Sequence, residues 1–363
     1  MIQQKSTQAL LAAVRSSLWQ SEVDTSYFEK LTATDWKEIY LMSFQQTVEG
    51  LVATAVQQLP ERLLPPMELR LKWLVATSRI QKANLAMEQA IAKQYQLFKK
   101  AGIRCILQKG HGVSSYYPDP TLRKTGDIDW FFPTTDDYQA AKKLIVQAGA
   151  ELKSSDTFSS GFQWGRFYIE HHRRIIQLRN PFVQVRASRF VNRELAAQAQ
   201  HIINGVSVEI PTGFLNLIQV NAHILKHQIT YGIGLRQLCD ACLLYYAYGK
   251  HIDPQELKNI YQELGMLKWS HYLHQMLVDL FHLPLENIPY PIEYFSDVQW
   301  MENYILRTGN FGFFDPEHPD REKPGGRVDR PQRLFRNFYR FLGIAPMEAL
   351  SFPFYQVYIK SFR

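Results

Sequence analysis

The chain has 363 residues, 46% hydrophobic and 21% charged, with 41 Lys and Arg against 34 Asp and Glu. Such a length holds about two to three ordinary domains and buries enough surface to fold without disulfide or metal staples. With 19 Gly and 18 Pro it is neither collagenous nor low-complexity, and 13% aromatic content excludes global disorder.

The net charge of +7 suits a soluble protein that meets phosphates, whether nucleotide or nucleic acid. No window nears the ~20 apolar residues of a membrane span, so no integral membrane segment is expected. The opening MIQQKSTQALLAAVRSSLWQSE is apolar every three to four residues and reads as an amphipathic helix rather than a signal peptide. Cys105, Cys239 and Cys242 are odd in number and lack framework spacing, which points to a cytoplasmic location.

Residues 1–102 read as a helical region. Asp35 is placed as the N-cap of the helix that follows it. Pro65-Pro66 opens the longest periodic stretch, running to Lys100, with Ile80, Met87, Ile91, Tyr95 and Phe98 on one face. Gly102 stops it just after Lys99 and Lys100, whose charges suit a helix C-terminus.

Residues 103–211 mix strands and helices, so the fold class is α+β. Residues 103–108 form a short β-like run, broken by Lys109-Gly110-His111-Gly112. Residues 127–132 alternate and then turn fully apolar, which reads as a strand. Thr134 caps a helix ending at Gly149. Residues 163–170, 174–178 and 206–210 are β-compatible. Residues 212–307 return to helices joined by short turns, a likeness of a bundle. Residues 308–332 cluster Gly, Pro and charge and read as a long loop, a candidate lid. Residues 333–363 interleave Arg with aromatics. That pattern suits base stacking or a membrane surface, but a tail packing its aromatics on the body with Arg outward is favoured.

The sharpest feature is Gly126-Asp127-Ile128-Asp129. On a strand, residues i and i+2 share a face, so two carboxylates stand side by side. Such anions repel unless a cation lies between them, and hard oxygen donors suit Mg²⁺ or Mn²⁺. The bland alternative is a solvated pair at a strand end. Upstream, Lys109-Gly110 at a strand-to-helix junction offers backbone N–H groups and an ammonium to a polyphosphate, or is an ordinary turn. Arg123 is placed to hold phosphate oxygens, or is a surface arginine. Glu170 closes an apolar run; it either completes a three-carboxylate cluster or faces solvent beside Arg173 or Arg174.

The order Leu107-Gln-Lys109-Gly110, Tyr117-Pro118, Arg123 and Gly126-Asp127-Ile128-Asp129 resembles the uncharacterised bacterial nucleotidyltransferase family of the polymerase-β-like superfold. Ile169-Glu170-His171-His172 is similar to a later acidic-hydrophobic-His segment of that family. His223-Ile-Leu-Lys226-His227 and Arg236-Gln-Leu-Cys-Asp240 resemble elements of its helical half. The resemblance spans about residues 70 to 250 and is most specific between 107 and 132. It implies a small mixed sheet with flanking helices, helical regions on either side, and a transferase that moves a nucleoside monophosphate from an NTP to an acceptor. Asp127, Asp129 and Glu170 would be catalytic and hold Mg²⁺ or Mn²⁺, while Lys109, Gly110 and Arg123 would bind nucleotide. The first motif departs from the usual Gly-Ser or Gly-Gly, and the third carboxylate is Glu rather than Asp.

His223, Lys226, His227, Arg236 and Asp240 form a second ring. A zinc site at His223 and His227, or at Cys239 and Cys242, is disfavoured: no Glu follows His223, and no second Cys pair exists. Arg236 and Asp240, one turn apart, either serve in that ring or simply pair with each other. The acceptor stays open between a sugar, a metabolite, an RNA and a protein. The alternative function is a catalytically weak or inactive protein of the same fold that binds nucleotide or RNA.

Overall fold

The computed structural model describes residues 4–317 and 331–361. Four helices come first: α1 (Lys5–Trp19), α2 (Ala33–Gln45), α3 (Glu49–Val56) and α4 (Met67–Lys100). Thr32, not Asp35, caps α2. Its hydroxyl accepts from the Asp35 amide at 3.2 Å while the Asp35 carboxylate accepts from the Thr32 amide at 2.7 Å. The acid is therefore the third helical residue of a capping box, with the hydroxyl as the cap itself. Along α4, Ile80, Met87, Ile91, Tyr95 and Phe98 are buried as their spacing requires. Gly102 follows at φ +70°, a left-handed conformation glycine adopts without strain.

The central segment comprises β1 (Ile106–Gln108), α5 (Gly110–Ser114), β2 (Asp127–Phe131), α6 (Thr135–Gln147), β3 (Glu151–Ser155), β4 (Ser159–Trp164) and β5 (Phe167–His172). The strands form one mixed sheet ordered β1-β2-β5-β4-β3, in which β2 and β5 are parallel and the other pairs antiparallel. The expected strand over 163–170 is two strands, since the chain reverses at Gly165, φ +57°. Residues 174–178 are not a strand. Ile175, Ile176 and Leu178 leave the sheet and bury in the helical core. Next come α7 (Pro181–Glu194) and a separate hairpin of β6 (Ala199–Ile203) and β7 (Val206–Ile210).

Helices α8 (Gly213–Thr230), α9 (Leu235–Tyr248), α10 (Pro254–Glu263), α11 (Leu267–Phe281) and α12 (Val298–Thr308) follow, then α13 (Pro331–Leu342) and α14 (Pro346–Ser361). Of the long loop expected over 308–332, residues 308–317 and the start of α13 are described. The lid expected there falls on 318–330, outside the described residues. Among the described side chains of the tail, Phe341 and Phe352 are buried and Arg340 lies over the Trp300 ring, whereas Tyr339 and Phe354 are exposed, so the packing favoured from sequence is met only in part. No helix among the described residues is long and apolar enough to cross a membrane.

Two cores organise the chain. The smaller joins α4 and α6 to one sheet face through Phe98, Ile145, Ile128, Trp130, Phe162 and Ile169. The larger joins α1–α3 to α8–α12. At its edge, Arg15 Nε donates to Leu280 O at 2.8 Å and Trp19 Nε1 to Phe281 O at 2.7 Å, closing carbonyls at the end of α11. Strand alternation then fixes where the polar residues go. Ile128 and Trp130 enter the small core, so Asp127 and Asp129 face the helical half.

Candidate active site

The same alternation operates on β5. Ile169 and His171 point into the sheet core, and Glu170 and His172 point the other way. Parallel pairing then sets Asp129 beside Glu170 and Asp127 beside Tyr168. The sheet thus brings together the three carboxylates expected from sequence. They line one wall of a cavity of about 500 Å³, with Lys109, Gly110, Arg123, His223, His227, Arg236 and Asp240 also on its walls.

Lys109 sits at the turn between β1 and α5 with φ +51° and ψ −142°, an unusual backbone for a residue with a Cβ. This geometry lets its Nζ reach Asp129 Oδ1 at 3.2 Å. His172 Nε2 approaches the same oxygen at 2.7 Å and Glu170 Oε2 at 3.2 Å. From the sequence, His172 has no assigned role beyond its place in Ile169-Glu170-His171-His172. The signal was present: Glu170 and His172 are i and i+2, the spacing of the aspartate pair.

These contacts explain the electrostatics. Burial first, then the charges of Asp129 and Glu170, raise the Asp127 carboxyl to about 7. Burial opposes the Asp129 charge too, but Lys109 and His172 outweigh it and hold that carboxyl below the usual range. Burial works against a charge on Lys109, yet Asp129, Glu170 and Asp127 keep its pKa raised. Burial and Lys109 disfavour a cationic His172, but its bonds to Asp129 and Glu170 raise its pKa overall.

The donor set fits a hard divalent ion. Asp129 and Glu170 each present a carboxylate oxygen within 4.8 Å of the other, with His172 Nε2 within the same distance of both. Both short bonds to Asp129 fall on Oδ1, which leaves Oδ2 for an ion. Asp127 stands outside that tight trio but on the same wall. Glu170 does not pair with Arg173 or Arg174. Arg173 donates to Thr135 and Arg174 lies over the Phe158 ring.

The cationic side differs from the sequence reading. Arg123 gives its guanidinium to Asp240, Nε to Oδ1 at 2.8 Å and Nη2 to Oδ2 at 2.7 Å. Arg236 therefore does not pair with Asp240, which was the bland alternative read from the sequence. It bonds Thr47 Oγ1 through Nε at 3.1 Å and lines the cavity. His223 and His227 pack 4.2 Å apart between ring centroids. Burial drives both pKa values well below the ordinary range, so they are neutral. Lys226, on the same helix, is off the cavity wall and donates to Gln177 Oε1 at 2.5 Å. Burial, then Lys109 and Arg179, lower its pKa to about 8. Cys239 and Cys242 are buried free thiols.

Residues 32–282, well over half of the chain, match the family of uncharacterised nucleotidyltransferases, and the chain belongs to that family. No curated protein matches it. Among solved structures it is similar to an antigenic nucleotidyltransferase-like protein from Paracoccidioides brasiliensis. That similarity has 13% identity and a TM-score of 0.33, over 56% of this chain and 96% of the other.

Proposed function

We propose that the chain moves a nucleoside monophosphate from an NTP to an acceptor hydroxyl and releases pyrophosphate. Asp127, Asp129 and Glu170 would hold the divalent ion, Mg²⁺ or Mn²⁺. The observation that carries this reading is the parallel register of Asp129 and Glu170, with Asp127 on the same face and a lysine at their edge. When bound, the ion supplies charge neutralisation and polarisation of the phosphate.

The residues of the chain divide the remaining work. Lys109 and the Gly110 backbone would take the phosphate oxygens, and Arg236, which lines the same cavity, would add its terminal nitrogens. Arg123 positions rather than binds, because Asp240 occupies its fork. Glu170 has a side chain 34% exposed against 5% for Asp129, so it is the carboxylate best open to an acceptor's proton. Most of the rate enhancement would come from alignment and preset charge. The acceptor is a sugar, a metabolite, an RNA or a protein hydroxyl.

The Lys109–Asp129 pair favours a second reading, in which a site already balanced in charge binds nucleotide or RNA without turnover. Incubation with each α-labelled NTP, Mg²⁺ and candidate acceptors separates the two. The transferase reading expects labelled product and pyrophosphate, with roughly a 10²-fold or greater loss in Asp129→Asn. It fails if Asp127→Asn and Asp129→Asn leave both transfer and Mg²⁺-dependent NTP binding intact. Strongly salt-dependent RNA affinity without turnover would support the second reading.

A further inference from the structure

Three side chains run in line from the helical half to the carboxylates. Lys226 Nζ donates to Gln177 Oε1 at 2.5 Å. Gln177 Nε2 lies 3.3 Å from His172 Nδ1. His172 Nε2 then lies 2.7 Å from Asp129 Oδ1 and 3.2 Å from Glu170 Oε2. An ammonium has only donors, so it must face the oxygen of the amide. That choice turns the amide nitrogen of Gln177 toward the ring. This nitrogen also only donates, so Nδ1 must carry a lone pair, and the imidazole proton is left on Nε2.

We propose that His172 is a positioning residue and not a metal ligand: its Nε2–H clamps Asp129 to Glu170, in a tautomer dictated by Lys226 through Gln177. The inference rests on the reading of these carboxylates as the ion-holding groups. In that tautomer Nε2 has no spare lone pair, since its hydrogen goes to Asp129 Oδ1 at 2.7 Å, with Glu170 Oε2 3.2 Å away. A proton on Nδ1 would point at the amide hydrogens of Gln177 and could fit only if Gln177 turned its oxygen away from Lys226. The arrangement has the logic of outer partners that orient metal-holding groups. Here one N–H serves two carboxylates that would otherwise repel each other.

The test is ¹⁵N NMR of histidine-labelled full-length protein without metal near pH 7.5, with His172 assigned from the resonances lost in His172→Gln. The expected result is a pyrrole-type Nε2 and a pyridine-type Nδ1, unchanged in type when Mg²⁺ is added. An Nδ1–H tautomer, a doubly protonated ring, or loss of the Nε2 proton on adding Mg²⁺ would overturn the proposal. Mn²⁺ binding followed by EPR gives a second readout. His172→Gln keeps an N–H near Nε2 and should bind within about threefold of the parent, while His172→Leu should lose about 10–100-fold. Equal losses in the two variants would also overturn it. A wild-type protein that binds no divalent ion would instead count against the transferase reading, and the tautomer would still be scored on the metal-free protein.

Discussion

Arg123 and Asp240 meet fork to fork inside the protein, and Tyr117 adds a third bond to the same carboxylate at 2.6 Å. The loop before β2 is thereby tied to α9, and the cavity lies between them. A bidentate buried pair of this kind is costly to break, because the survivor is left charged and dry. Asp240→Asn and Arg123→Leu should each lower stability by about 3–5 kcal/mol in urea unfolding. The double variant should lose less than the sum, by about 1–3 kcal/mol. If Arg123→Leu melted like the parent and only weakened NTP binding, Arg123 would be a phosphate ligand after all.

Asp127 predicts a trade of stability against activity. Its folded pKa of about 7 lies above the ordinary aspartate value. A raised carboxyl binds its proton more tightly in the native state, so its contribution is favourable at low pH and disappears as pH rises through about 7. Asp127→Asn should therefore raise stability at pH 8 by about 1–3 kcal/mol and change it little at about pH 4, near the unfolded aspartate pKa. The same variant should abolish Mg²⁺-dependent NTP binding. Thermal melts at the two pH values, beside a nucleotide titration, decide the matter.

Lys109 combines a needed charge with an awkward backbone. At φ +51° a glycine would be at ease where an alanine would not. Lys109→Gly should then be more stable than Lys109→Ala by about 1 kcal/mol, although both lose the ammonium beside Asp129. Both should lose NTP affinity to a similar degree. Equal stability of the two variants would mean that the turn relaxes once the lysine is gone.

Ion binding should register in the melting temperature. A ligand that binds only the folded state at 100 times its Kd adds about 2.7 kcal/mol. Mg²⁺ or Mn²⁺ should raise the melting temperature of the parent, EDTA should reverse the gain, and Asp129→Asn should remove it. A gain that persists in Asp129→Asn would place the ion elsewhere.

The helical regions and the Asp-x-Asp strand were legible because their signals are local. Period-3.6 burial along α4 and the Asp-x-Asp alternation of β2 need no partner to be read. Less of the central sheet was legible. Gly165 marked a hairpin inside what looked like one run, and Asn204-Gly205, both at positive φ, is a strong two-residue turn signal that fixes β6 against β7. The strand β3 is exposed throughout and carries no apolar alternation to betray it. In the site, which residues share a strand face could be read, but pairing across the fold could not. Whether Asp240 takes Arg123 or Arg236 depends on how α9 docks, a contact 117 residues apart in sequence. The importance of His172 was readable from its spacing to Glu170, and its partners Gln177 and Lys226 were not.

The union of α1–α3 with α8–α12 in one interior bears on how the protein must be produced. The homologous span, 32–282, begins after α1 and stops before α12. A recombinant fragment trimmed to it would lack Arg15 and Trp19, the residues that close the end of α11. It would also lay bare the surfaces that Leu10, Val14, Met301 and Ile305 cover in the whole chain. Apolar ground of that kind promotes aggregation in water, so a fragment cut at the homology limits should precipitate more readily than the full polypeptide.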